Sequence, residues 1–356
     1  MNTILKRRGF DLGTAPETHH ATVPETNIIK ELWHNDEPVF LPALLKKSVQ
    51  DHAHNIKSAH LLMENILDTS EVTSFFEKEP YLSSFSKSFA IVANSMEEHD
   101  ERAIEKIYFD AFEQGDENAV AEELWCKSSW LSFHEDDASL RFRFSWGLEG
   151  FEDVAADPVK QRWASELCDV LFPESAVITK NTDMLSILEA ILDKEATFVE
   201  KIVFFNAPNG GAQMHEDVEH GHAGVVYAQL SGSTFWLSLA KPRLMDELIA
   251  FVSDKGQQQA IEAVLPEEQD RQSLFEMCKN REQLNNYMDE ADHELVEAVF
   301  DRCPEFVAQL ISKGYSNTLV AGDVLLLPQR DFDTAVWHSV FTLGDGPGEA
   351  LSFAVR

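Results

Sequence analysis

The chain has 356 residues, 44% of them hydrophobic, enough to bury a substantial core in one large domain or two moderate ones. Its 62 acidic residues outweigh 29 basic ones, and the formal net charge of −33 repels phosphate backbones. The composition therefore argues against a nucleic-acid partner and weakly favours a cationic substrate.

The four cysteines are widely spaced and form no C-x-x-C pair: Cys126, Cys168, Cys278 and Cys303. This spacing favours free thiols in a reducing compartment. No apolar run of signal-peptide length follows the basic N-terminus, and no stretch reaches the length of a membrane span. We therefore expect a soluble, cytoplasmic protein without a membrane partner.

The first 195 residues are predicted to be helix-rich, with a few strands. Residues 1 to about 25 are polar and typical of an irregular lead-in. The spacing of apolar residues then predicts strands within 37–45 (EPVFLPALL) and 129–147 (LRFRFSW), and helices at 56–68, 103–125, 157–171 and 183–192. We expect residues 1–195 to pack on a core formed by residues 196–356.

The core begins with a strand at 203–206, a Gly-Gly turn and a second strand from Val225. Helical spacing then covers about 243–313, with Gly314 as a C-cap, before strands return in NTLVAGDVLLLP, AVWHSVF and ALSFAVR. This order indicates an α+β fold with a helical insertion in a β structure, not a parallel α/β sheet. The helical block could cap the core, shape the substrate mouth or form the face of a homodimer.

The strongest chemical signal is the pair His215 and Asp217 in GGAQMHED. Residues i and i+2 of an extended segment point to the same side, so both side chains can bind one metal ion. His338, in AVWHSVF, is the candidate third ligand from a distant strand. Two histidines and one carboxylate form a facial triad with open coordination positions, which suits non-haem Fe(II).

The segments GGAQMHED, YAQLSGSTFW, AGDVLLLP, VWHSV and LSFAVR, in this order, resemble the jumonji-C or cupin-like family of Fe(II)- and 2-oxoglutarate-dependent oxygenases. The resemblance covers residues 200–240 and 318–356 and, more thinly, 30–45. It implies a double-stranded β-helix (jelly-roll, cupin-like) core, with Fe(II) bound by His215, Asp217 and His338 and with 2-oxoglutarate as co-substrate. Trp236 matches an aromatic residue of the family pattern.

One position departs from that pattern. Family members often bind the far carboxylate of 2-oxoglutarate with a lysine two residues after the glycine that is Gly232 here, and this position is Thr234. Threonine donates a hydrogen bond but cannot neutralise a carboxylate. Arg356 could replace this lysine, because related oxygenases place a basic residue on the strand after the distal histidine, and an arginine there can bind a carboxylate through two hydrogen bonds. The alternative is that Arg356 is a solvent-exposed terminal residue.

Other residues have weaker claims on the co-substrate. Arg330 and Lys241 are further candidate cations, and Tyr227 could contribute a hydrogen bond or be an ordinary core residue. His220 and His222 resemble the H-x-H of small metal cupins, but no glutamate follows within 223–230. They are interpreted as surface-loop or substrate-facing residues, with a role as alternative ligands left open, in a loop that could form a lid.

The string His134-Glu135-Asp136 repeats the histidine-acid pattern and is interpreted as a solvated turn, since no Gly-Gly entry precedes it. The sequence thus predicts a dioxygenase that hydroxylates an amino acid, a peptide or a protein side chain. One alternative is a cupin-like metal-binding or scaffold protein with a degenerate co-substrate site, which Thr234 supports. Another is a cupin enzyme that does not use 2-oxoglutarate.

Overall fold

The computed structural model of the protein describes residues 3–7, 10–16, 22–69, 71–85, 88–96, 102–113, 118–131, 139–147, 156–219 and 221–356. The strands in these residues are β1 (Ile4–Arg7), β2 (Phe10–Thr14), β3 (Val39–Leu41), β4 (Phe89–Ser95), β5 (Ala103–Phe112), β6 (Ala119–Trp130), β7 (Leu140–Trp146), β8 (Phe198–Asn206), β9 (Gly211–His215), β10 (Gly224–Gln229), β11 (Ser233–Ala240), β12 (Ser316–Val320), β13 (Val324–Pro328), β14 (Val336–Leu343) and β15 (Gly348–Val355).

The helices in the same residues are α1 (Thr26–His34), α2 (Lys46–Asp51), α3 (Ala53–Thr69), α4 (Thr73–Phe76), α5 (Tyr81–Phe85), α6 (Pro158–Leu171), α7 (Ala176–Thr179), α8 (Thr182–Leu192), α9 (Lys241–Ser253), α10 (Gln258–Val264), α11 (Glu268–Cys278), α12 (Arg281–Met288), α13 (Glu294–Arg302) and α14 (Pro304–Ser312). Short 3₁₀ turns precede α7 and α10. Within the described parts of the chain, no helix is long and apolar enough to cross a membrane.

Two sheets form the centre of the molecule. One has nine strands in the order β3-β13-β10-β15-β8-β7-β6-β5-β4, and the other has four in the order β12-β11-β14-β9. Strands β1 and β2 form a separate hairpin. Every strand pair found in the described ranges is antiparallel. This mixed architecture of helices and antiparallel sheet is compatible with a jelly-roll-like β core.

The buried apolar side chains form three clusters. Tyr227, Trp236 and Val340 belong to a small cluster that joins strands of the two sheets. The nine-stranded sheet contributes to a large core shared with helices such as α3, α6 and α8. Phe341 of the four-stranded sheet belongs to a third core, together with Leu5 of the hairpin and apolar residues of α9–α14. The four-stranded sheet is therefore covered by the helical block and the hairpin.

Most of the elements expected from the sequence are present. Helices occupy the predicted stretches at 56–68, 157–171 and 183–192, and α9–α14 fill the predicted helical block. Gly314 follows α14 with a φ of +86°, a backbone conformation that glycine adopts at helix ends without steric cost. Strands β12–β15 lie where NTLVAGDVLLLP, AVWHSVF and ALSFAVR predicted them.

Two sequence-based expectations are wrong. The segment 103–125 contains the long strands β5 and β6 instead of a helix, and part of the lead-in forms the β1–β2 hairpin. Register shifts interrupt the pairing of β5 with β6 at Ala103/Glu105 and Phe109/Ala111, so buried residues do not alternate strictly along β5. Irregular alternation of this kind imitates helical spacing. The first 195 residues consequently contribute five strands to the nine-stranded sheet, β3 to β7.

Candidate metal centre

His215, Asp217 and His338 meet at one point of the fold. His215 ends β9 and His338 lies in β14, where the two residues are directly paired in register. The His215 Nε2 atom is 3.5 Å from Asp217 Oδ1, and the His338 Nε2 atom is 3.4 Å from Asp217 Oδ2. One ligand atom from each residue lies within 4.8 Å of the other two. The three residues predicted as ligands are thus brought together.

The backbone around β9 explains this proximity. Gly211 has a φ of +137°, and a Cβ added there would lie 2.0 Å from the carbonyl oxygen of Val340. A residue with a side chain would therefore push β9 away from β14. The Nδ1 atom of His215 is 2.7 Å from the carbonyl oxygen of Gln213, the distance of an Nδ1–H donor bond. That bond leaves Nε2, which faces Asp217, as the ring nitrogen that can bind a metal ion once its own proton is released.

The pKa values of the three side chains are shifted by burial and by one another, in a pattern that suits the binding of a cation. Burial opposes the protonation of His215, but Asp217 and the Gln213 carbonyl outweigh it and raise the pKa of His215 to about 9. Burial and the charge of His215 lower the pKa of His338 to about 4. Burial raises the pKa of Asp217, yet the two imidazoles bring it well below its ordinary value. Near neutral pH, His215 therefore keeps a second ring proton, on the Nε2 atom that faces Asp217. A bound cation can replace that proton.

A cavity of about 410 Å³ opens beside these residues, within the size range of small-ligand sites. His215, Asp217 and His338 lie in its wall with Trp236, whose indole stacks on the His338 ring at a centroid distance of 5.2 Å. The opposite wall is the nine-stranded sheet, with apolar and polar side chains from β7, β8, β10, β13 and β15. The candidate metal ligands thus face a cavity between the two sheets.

The residues predicted to hold the co-substrate are not all at the cavity. Tyr227 lines it. Thr234 is fully buried outside the lining, where its hydroxyl donates to Gln229 Oε1 at 2.8 Å and accepts from Trp236 Nε1 at 2.9 Å. Arg356 is also absent from the lining, and its guanidinium donates to Gln161 Oε1 at 3.0 Å.

The other candidates have separate positions. Arg330 donates to the carbonyl oxygens that end α1 and forms an ion pair with Asp36. Lys241 is buried in an ion pair with Asp289 at 2.6 Å. His222 is buried in the cavity wall, which agrees with a substrate-facing position more than with a surface loop. His220 and the string 134–136 lie outside the described residues.

Two arginines of the cavity wall were missed by the sequence reasoning. Arg141 and Arg143 of β7 both line the cavity. Arg141 donates from Nε to Ser129 Oγ at 3.0 Å, and Arg143 forms ion pairs with Glu200 and Glu219. The pattern LRFRFSW contained the signal, because residues i and i+2 of a strand share one face. It did not reveal that this face continues into the wall of the metal site.

Comparison with known proteins adds little to these observations. No family model and no curated protein matches the chain. Among solved structures, the chain is similar to the crystal structure of an oxidoreductase of the 2OG-Fe(II) oxygenase family from Burkholderia pseudomallei, with 8% identity and a TM-score of 0.33 over 96% of this chain and 95% of that one. A TM-score this low does not establish a shared fold.

Proposed function

We propose that the protein is a non-haem Fe(II)- and 2-oxoglutarate-dependent oxygenase. The observation that carries this proposal is the convergence of His215, Asp217 and His338, with ligand atoms within 4.8 Å of one another, in the wall of a cavity of about 410 Å³. Two imidazole nitrogens and one carboxylate oxygen are the donor set of facial-triad iron sites. The cavity beside them has room for a small co-substrate.

We further propose that β8–β15 form a double-stranded β-helix. The distribution of these strands between the sheets supports it: β8, β10, β13 and β15 belong to the nine-stranded sheet, and β9, β11, β12 and β14 to the four-stranded one. Under this proposal residues 196–356 are the oxygenase core, residues 1–195 pack on it, and α9–α14 are an insertion between β11 and β12.

The chemistry divides between the metal and the chain. Bound Fe(II), with 2-oxoglutarate and dioxygen, would supply the oxidising power to hydroxylate a substrate C–H bond. The Gln213 carbonyl holds the Nδ1 proton of His215, so that its Nε2 atom serves as a ligand. Trp236 stacks on His338 and restricts the orientation of that ring. We propose an amino acid, a peptide or a protein side chain as the substrate.

The test of this function is anaerobic spectroscopy followed by product analysis. Protein loaded with Fe(II) should develop a weak visible charge-transfer band when 2-oxoglutarate is added, and should form succinate on exposure to oxygen. His215→Ala should show neither signal, because the metal loses one of its three protein ligands. If well-folded wild-type protein gives no band and no succinate, the proposed function is wrong.

The cation for the far carboxylate of 2-oxoglutarate is proposed to be Arg141, since it lines the cavity and offers a bidentate donor. Arg141→Gln is expected to weaken 2-oxoglutarate binding to the Co(II)-loaded protein by roughly 30-fold or more, because it removes a charged hydrogen-bonding partner. The metal affinity should be unchanged. The measurement is a titration of 2-oxoglutarate followed by the visible spectrum of Co(II).

Arg356→Gln is the matched comparison, because Arg356 donates to Gln161 and does not line the cavity. Its effect on the 2-oxoglutarate affinity should be less than about threefold, the size of a small surface perturbation. If Arg356→Gln weakens the affinity and Arg141→Gln does not, the carboxylate is bound by Arg356. Thr234→Ala should act only through the packing of Trp236, to whose indole Thr234 is bonded.

A second candidate function follows from Thr234. Its hydroxyl is engaged by Gln229 and Trp236, and no cation occupies this strand position. This observation favours a cupin-like metal protein that does not use 2-oxoglutarate, either an enzyme of another type or a binding protein. Such a protein would take up iron during purification, and lose it in His215→Ala, without any spectral response to 2-oxoglutarate.

A further inference from the structure

A buried ion pair lies directly behind the candidate metal centre. Arg7 of β1 and Asp301 of α13 are 4% and 3% exposed, and their side chains form an ion pair. The Arg7 guanidinium also lies 4.0 Å from the centroid of the Phe341 ring. Two buried charges give little net stability relative to apolar residues of similar volume, so the contribution of this pair has to be sought in the other groups that it holds.

Those groups belong to the two strands that carry the histidine ligands. The Arg7 guanidinium donates to Ser339 Oγ and to the Val340 carbonyl oxygen, both at 2.8 Å. The Asp301 carboxylate accepts from the backbone N–H of Met214 at 3.0 and 3.2 Å. Met214 precedes His215 and Ser339 follows His338. The pair therefore contacts each strand at the position next to a ligand.

The strand pairing is irregular at the same place. His338 pairs with His215 and Val340 with Ala212, so Gln213 and Met214 together face only Ser339. Two residues opposite one are the signature of a β-bulge, which interrupts the ladder of hydrogen bonds. The Met214 N–H lies in this interruption and is directed to Asp301 instead of to β14. A buried backbone donor without a partner would be costly.

We propose that Arg7 and Asp301 are positioning residues for the metal centre. Their side chains replace the contact missing from the ladder at the bulge and set the position of His215 relative to His338. Residues from the N-terminal hairpin and from the helical block thus complete a site whose ligands all lie on β9, β14 and the segment that follows β9. This inference rests on the proposed metal site and goes beyond its ligands.

The test compares two double variants that both remove the buried charges. Arg7→Met with Asp301→Leu removes the hydrogen bonds as well, and should lower the affinity for Co(II), measured by visible absorption, by roughly 10- to 100-fold, the range observed when a partner of a ligand is lost. Arg7→Gln with Asp301→Asn keeps an acceptor for the Met214 N–H and keeps an amide donor, on a shorter side chain, at position 7. It should retain an affinity within about fivefold of the wild type, well inside that range.

The matched control is the ion pair of buried Lys201 and partly exposed Asp169, 2.5 Å apart on the helical side of the nine-stranded sheet. Lys201→Met with Asp169→Leu should leave the Co(II) affinity unchanged. If both Arg7/Asp301 double variants bind Co(II) as the wild type does, the positioning role is wrong. If the wild type itself binds no Co(II), the proposed function fails instead.

A measurement on the wild type covers the case in which the apolar double variant does not fold. Hydrogen exchange of the Met214 amide should be as slow as that of the central strands, because its N–H is buried and held by Asp301. Exchange at the rate of exposed loops would overturn the proposal.

Discussion

Asp217→Asn is expected to lower the affinity for divalent metal by more than about 100-fold. The loss of a residue that only hydrogen-bonds to a metal ligand already lowers the affinity by about 10- to 100-fold, and Asp217 is proposed as a ligand itself. Asparagine keeps an oxygen in place but removes the negative charge that lies 3.5 Å from His215 and 3.4 Å from His338. The two imidazoles that remain would have no anion between them to offset the cation. The measurement is a Co(II) titration of the metal-free variant followed by its visible spectrum.

Glu216→Gln is the matched control for Asp217→Asn. Glu216 is the neighbouring acid, and its carboxylate accepts a hydrogen bond from the backbone N–H of Val218 instead of facing the two imidazoles. Its substitution should change the metal affinity by less than about threefold, as expected away from the ligands. Thermal unfolding of each metal-free variant checks that it is folded. If both variants bind Co(II) equally well, Asp217 is not a ligand.

Two of the three candidate metal ligands could be chosen from a local signal. His215 and Asp217 are two residues apart, and this spacing directs both side chains to one side of an extended segment. His338 could be chosen because it lies in a short apolar strand that the sequence pattern identified. The geometry agrees with that choice, since the three side chains converge. Short-range periodicity therefore predicted most of the helices, and the assignment of the three residues as metal ligands stays a prediction.

The rest of the site depends on contacts that periodicity does not encode. Arg141 reaches the cavity because β7 pairs with β8, and its partner in that pairing, Phe204, lies 63 residues further along the chain (204 − 141). Arg7 and Asp301 meet although 294 positions separate them. Such pairings are set by tertiary packing, and a single sequence gives no direct signal for them. Irregular strands such as β5 fail for another reason, because bulges break the period of two.

Glu349→Gln is expected to stabilise the protein at pH 8 by on the order of 3 kcal/mol while leaving its stability near pH 4.5 almost unchanged. Glu349 and Glu174 are buried, at 0% and 1% exposure, and their four carboxylate oxygens accept no hydrogen bond from any other described residue. Burial raises the pKa of Glu174 to about 7, and burial with the charge of Glu174 raises the pKa of Glu349 well above its ordinary value. One carboxyl can then keep a proton and donate it to the other.

The sign of the pH dependence follows from the raised pKa values. Well below pH 4.5 both glutamates are protonated in the folded and the unfolded chain, so their ionisation does not affect the stability. As the pH rises, the unfolded chain ionises first, so the stability of the folded state falls until the pH passes the folded pKa, about 7 for Glu174. Glutamine removes one acid and can donate its amide N–H to the Glu174 carboxylate. The variant should therefore lose most of this decline.

Other groups that face the pair do not change this expectation. The Nε2 atom of His60 lies 3.8 Å from Glu349 Oε2. Burial lowers the pKa of His60, which favours its neutral imidazole. Burial and the two glutamates raise the pKa of Tyr81, which stays uncharged.

Urea unfolding of the wild type and of Glu349→Gln at intervals from pH 4.5 to 8 measures the effect. Glu166→Gln, at an exposed ion pair with Arg162, should run parallel to the wild type within about 0.5 kcal/mol. A curve for Glu349→Gln that is equally parallel would show that the buried pair is already ionised and compensated in the folded protein.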